Sequence, residues 1–215
     1  MKRTNITFLL CLLSFTCLMH GQESEDYIEF NDRKNTVHGV YLGIGLYYGE
    51  INNKDTYASN FKVAYVANRQ FEIGFEAVGL YTDLNDNGLT NNDQDLVAAY
   101  GGLHLEPILF SKSKFNLSFP LLVGGGAAGI IEGDLDDDIT YDEDDWEAVF
   151  VVEPGVSILF NINRYIQLEA SAKHRFSSRI GFDNHTLSRI NGFSAGIGVK
   201  IGVFNMGRNR YKKKV

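Results

Sequence analysis

Cysteine is almost missing from this chain of 215 residues, and the two present, Cys11 and Cys17, lie near its start. Lys2 and Arg3, the apolar run Phe8 to Phe15 and the small residue Gly21 have the layout of a secretory signal peptide, so residues 1–21 are expected to be removed. A mature chain without thiols excludes disulfides, thiol catalysis and cysteine-bound metal. Phe15 and Thr16 before Cys17 fit a lipidation motif poorly. No later apolar run reaches the ~18 residues that a spanning helix needs, which leaves a closed barrel as the way through a bilayer. Positive charge is also short, with 20 Lys and Arg against 27 Asp and Glu and a net charge of -7. The acids gather in a few loops, which argues against a nucleic-acid partner; the basic exception is the tail Arg208, Arg210, Lys212, Lys213 and Lys214. Of the 3 prolines, Pro120 and Pro154 fall inside strand-like stretches, where bulges are expected.

What the chain has in quantity is two-residue alternation. From Trp146 to Phe160, Trp146, Ala148, Phe150, Val152, Val156, Ile158 and Phe160 share one parity, and Glu147, Glu153, Gly155 and Ser157 share the other. After a turn near Asn161–Tyr165, Ile166, Leu168, Ala170, Ala172 and Phe176 oppose Gln167, Glu169, Ser171 and Lys173. This is the period of a strand. The same pattern recurs at about 38–48, 61–67, 71–81, 97–105, 115–123 and 193–204, predicting eight strands. Polar connections at 50–59, 82–95, 132–145 and 177–191 alternate with short turns at 68–70, 111–114 and 161–165. Bulky apolar residues occupy one face throughout, while glycines and charges occupy the other. A soluble calyx would line its interior with the apolar face; here the bulky face suits lipid.

These features give an all-β reading, an eight-stranded antiparallel up-and-down transmembrane β-barrel. Over residues 38–204 the chain resembles the small eight-stranded outer-membrane barrels, the OmpA-barrel and OmpX-like families. The resemblance implies residence in the outer membrane of a Gram-negative bacterium, with the long loops outside and both termini periplasmic. Residues 22–37 would then be a periplasmic lead and 205–215 a basic periplasmic tail. It also implies outer-membrane lipid and the barrel-insertion machinery as partners.

If parity holds, Lys62, Glu72, Glu76, His104, Glu106, Glu147, Glu153, Glu169, Lys173 and Lys200 point into the lumen, where unpaired charge is costly and ion pairs are expected. Centring the turn on Asn163 sets Glu153 directly opposite Lys173, which predicts a pair within about 6 Å. Aromatics at the predicted strand ends suggest two interfacial girdles, with Tyr48, Phe61, Tyr81, Trp146, Phe176 and Phe193 on one rim and Phe71, Phe115 and Phe160 on the other.

Asp83, Asn85, Asn87 and Gly88 match the first half of a calcium loop, but Gln94 stands where a bidentate carboxylate is needed. Asp134, Asp136 and Asp138 offer a second alternating set without the glycine. Solvated loops account for both, so no metal or cofactor is expected. His174 with Ser177 or Ser178, and His185 with Ser188, are the nearby pairs for lipid-modifying catalysis, and none has the spacing of one strand face. The expectation is a non-enzymatic barrel serving envelope integrity or presenting acidic loops to an extracellular partner. The alternatives are a lipid-modifying enzyme, an accessory barrel of a secretion or assembly machine acting through its tail, and a lipocalin-like soluble carrier.

Overall fold

The computed structural model describes residues 37–84, 94–111, 113–132, 146–181 and 188–206. The candidate leader, Asn85, Asn87, Asp134, Asp136, Asp138, His185 and residues 207–215 lie outside them. The strands are β1 (His38–Ile51), β2 (Lys54–Ala67), β3 (Phe71–Asp83), β4 (Gln94–Leu109), β5 (Phe115–Ser118), β6 (Leu121–Glu132), β7 (Trp146–Asn161), β8 (Ile166–Ser177) and β9 (Gly192–Met206). Each is antiparallel to its neighbours, and β1 pairs with both β2 and β9, so the ring closes. β5 and β6 lie end to end between β4 and β7 and form one wall strand, giving eight walls. Closure leaves no open edge in the ring, which removes the exposed ladder groups that hydrocarbon could not satisfy.

The break between β5 and β6 falls at Phe119-Pro120, but the expected bulge is not there. Register is the same on both sides, Ser118 facing Ser157 and Leu121 facing Pro154. The Pro120 carbonyl still accepts, from Gly155 N at 2.8 Å, and Phe119 N beside it donates to Pro107 O at 3.1 Å, so the ladder holds on both sides of the break. Glycine at 155 leaves room for this approach, since a Cβ there would stand 3.2 Å from Pro120 Cγ.

A second correction concerns the first connection. The polar stretch 50–59, expected to be a loop, is a hairpin in which Ile51 faces Lys54 across Asn52-Asn53. Both asparagines have positive φ, 51° and 63°, the backbone of a tight turn whose twist matches the strands. Lys54 to Asn60 then alternates like any barrel strand, with Thr56, Ala58 and Asn60 buried and Tyr57 exposed. Its polar residues concealed that pattern. The extension moves Phe61 to mid-strand, opposite Ile44, so the ring that packs against Tyr48 near this rim is Tyr57, tilted at 58° with 5.5 Å between centroids.

The turn at 52–53 shares one rim with the connections 84–93, 133–145 and 178–191, and the three short turns share the other with His38 and Met206. The outer surface is apolar. Leu46 and Ile197 are 69% and 71% exposed, and Phe150, Ile158 and Leu168 also face outward rather than meeting in a core. Full-length strands run 12 to 16 residues, long enough for the about 9–11 that a bilayer crossing takes.

Candidate functional site

The lumen of a ring this small is filled by side chains, and here the filling is layered. Toward the long-connection rim it is apolar: Ile51, Leu80, Leu96 and Val151 pack with Ile180 and Ile190, both from the connection 178–191. That connection is pinned by Ser177, whose Oγ accepts from Ile190 N at 2.9 Å and donates to Asn191 Oδ1 at 3.2 Å. At the turn rim a smaller cluster joins Tyr41, Ala64, Val66 and Phe204.

Between these layers lies a continuous ionic network. Lys62 Nζ bridges both oxygens of Glu169, at 3.0 and 2.7 Å. Lys200 Nζ reaches Glu72 at 2.8 Å, Glu106 at 2.9 Å and Glu169 at 3.7 Å. Lys173 Nζ meets Glu76 at 2.7 Å and Glu153 at 3.6 Å, and its ammonium lies over the Tyr47 ring. Arg175 Nε donates to Tyr100 Oη at 2.7 Å and to Glu153 Oε2 at 3.1 Å. Tyr41 Oη donates to Glu72, and Ser118 Oγ to Glu106 Oε1 at 2.6 Å. All these charged groups are buried.

His104 completes the set. Its Nδ1 is 2.7 Å from Glu76 Oε2 and its Nε2 3.0 Å from Glu106 Oε2. Only an imidazolium, protonated on both nitrogens, can donate to two carboxylates at once. The network then balances, with Glu72, Glu76, Glu106, Glu153 and Glu169 against Lys62, Lys173, Lys200, Arg175 and His104. The five glutamates of the network outnumber its three lysines by two. Arg175, which shares the parity of Lys173 and could have been read from it, supplies part of the difference, and the imidazolium supplies the rest.

Two expectations about these residues are corrected. Lys173 stands opposite Gly155, not Glu153, because the β7–β8 turn is centred on Arg164 rather than Asn163. The expected ion pair with Glu153 forms all the same, at 3.6 Å, while the shorter contact of Lys173, at 2.7 Å, is to Glu76 across the lumen. Glu147 takes no part: it is half-buried at the end of β7 and has no ion pair among the described residues. Of the candidate calcium ligands, Asp83 is exposed at the end of β3.

Glu72, His104 and Glu106 could each turn a ligand atom toward a common point, but the Lys200 ammonium already bonds both carboxylates. That arrangement fits an internal cation better than a metal ion. Nor does His174 pair with Ser177 or Ser178, and His185 lies outside the described residues. His174 is exposed and lies against the Phe176 ring at 4.4 Å, Ser177 Oγ is engaged as above, and Ser178 Oγ accepts from Phe150 N at 3.0 Å.

No protein-family model matches the chain, and no curated protein matches its sequence. Solved structures do match its shape. Neisserial surface protein A superposes with a TM-score of 0.52 at 9% identity, covering 76% of this chain and 96% of its own. Ail, the attachment invasion locus protein of Yersinia pestis, solved with the heparin analogue sucrose octasulfate, gives a TM-score of 0.44 at 12% identity over 78% of this chain and 98% of its own. The outer-membrane enzyme PagL gives 0.42 at 13% identity over 74% and 98%. With an apolar exterior, a closed ring of eight walls and a filled interior, the chain has the fold of the small OmpA- and OmpX-like outer-membrane β-barrels.

Proposed function

We propose that the mature chain is a non-enzymatic integral protein of a Gram-negative outer membrane, serving envelope integrity or surface interaction through its long connections. In this reading residues 1–21 are the leader, the connections 84–93, 133–145 and 178–191 face outside, and the short turns with both barrel ends face the periplasm. One observation carries it: the exterior is a continuous apolar belt while the interior is closed by an apolar layer and a charge-balanced network. A filled lumen favours a structural or presenting role over solute passage. The absence of a His–Ser contact among the described residues weighs against lipid chemistry. The acidic stretches 83–95 and 132–145 would carry any extracellular partner or calcium.

The test is membrane fractionation with heat-dependent gel mobility, followed by biotin labelling of single cysteines placed at Asn163 and in 84–93. Recovery with the outer membrane, a band that shifts on boiling, and labelling of intact cells only in 84–93 are expected. Recovery with soluble periplasm would defeat the proposal. Unchanged lipid profiles after His174→Ala would separate it from the enzymatic alternative, and unchanged secretion after deletion of 207–215 from the accessory-barrel alternative.

A further inference from the structure

We propose that the turn-side mouth binds a small zwitterion, a molecule carrying a primary ammonium and a phosphate or carboxylate a few bonds apart. A cavity of about 230 Å³ opens there, several times the ~30 Å³ that one water occupies. Among its walls are Glu72 and Gln167, and each keeps one buried side-chain oxygen, Oε1 in both, without a hydrogen-bond partner. Buried acceptors in a folded protein are nearly always satisfied, so two orphans beside one cavity mark a place for an incoming donor. Both are held in position by their other atoms: Glu72 Oε2 accepts from Lys200, and Gln167 Nε2 donates to Asn161 Oδ1 at 2.7 Å.

The cavity also carries the opposite charge. Arg69 and Arg164 line it, and neither has a carboxylate partner among the described residues. Arg69 is half-buried with positive φ in the β2–β3 turn, and Arg164 is exposed with its guanidinium over the Tyr165 ring. A simple anion would meet the Glu72 carboxylate, and a simple amine would meet two guanidiniums. A dipolar molecule satisfies both, its ammonium toward Glu72 and Gln167 and its anionic end toward the arginines. Phe204, stacked on Tyr41, gives the cavity one apolar wall for the linking carbons.

The same chemistry occurs in free solutes and in the headgroup of phosphatidylethanolamine. The barrel refolded in maltoside micelles is titrated with O-phosphoethanolamine by calorimetry, with ethylamine and inorganic phosphate as single-charge controls. Saturable binding of the zwitterion is expected, at least about tenfold tighter than either control. Glu72→Gln and Arg164→Gln should each weaken it by about tenfold, with the heat-shifted gel band retained as evidence of folding. Because Glu72 also holds Lys200, Gln167→Leu provides a second floor variant with the same expected loss. Repeating the titration in phosphatidylethanolamine and phosphatidylglycerol nanodiscs distinguishes the source: binding abolished only in the former assigns the site to the headgroup, and binding kept in both assigns it to a free solute. No heat with O-phosphoethanolamine, or equal binding by phosphate alone, overturns the proposal.

Discussion

Replacing Lys200 with methionine tests the lumen network at its most connected point. The ammonium is fully buried and holds Glu72 Oε2 at 2.8 Å and Glu106 Oε2 at 2.9 Å, with Glu169 Oε2 at 3.7 Å. Methionine fills the space of the aliphatic stem but removes the terminal ammonium and its charge. His104 still faces Glu106 and Lys62 still faces Glu169, whereas Glu72 keeps only the Tyr41 hydroxyl. Removing one member of a buried ion pair costs about 3–5 kcal/mol, because the partner charge stays buried. At a urea slope of about 2 kcal/mol/M, that lowers the unfolding midpoint in micelles by roughly 1.5–2.5 M. The loss should be partly recovered by adding Glu72→Gln, which removes the stranded charge. Lys62→Met should be non-additive with Lys200→Met, since both cations act on Glu169. A Lys200→Met barrel within about 1 kcal/mol of the parent, with an unchanged slope, would mean that the network is solvated and would refute the account of a sealed lumen.

Further substitutions examine the wall. Ile197 is 71% exposed in the middle of β9, and arginine there should cost about 2–4 kcal/mol if the site lies at the bilayer midplane; a loss below about 0.5 kcal/mol in lipid would place it outside the hydrocarbon. Gly124 faces inward where a Cβ would stand 2.1 Å from Gly101 O, so Gly124→Val should abolish the folded band on unheated gels. Asn53 has φ of 63°, and Asn53→Val should destabilise the first hairpin by roughly 1–2 kcal/mol while Asn53→Gly is tolerated, as read from urea midpoints.

Which residues look outward and which inward was decided by the chain on its own, because alternation is a property of each strand and needs no partner. Phe150, Ile158, Leu168 and Ile197 were assigned to the lipid face by parity alone, and they are exposed. Parity also marked Lys62, Glu76, Glu169, Lys173 and Lys200 as inward, and it contained Arg175. Local polarity misled where a strand was itself polar, as from Lys54 to Asn60, and there the Asn52-Asn53 turn was the missed signal. Only the closed ring decided who meets whom. Lys62 faces Glu76 across the β2–β3 ladder, yet its ammonium bonds Glu169, 107 residues away. Lys173 likewise reaches Glu76 across 97 residues, past its own hairpin partner strand. Long side chains on a small inward-curving wall converge on the axis, so their partners depend on barrel circumference and on the register of every turn. Neither quantity is written in any one strand.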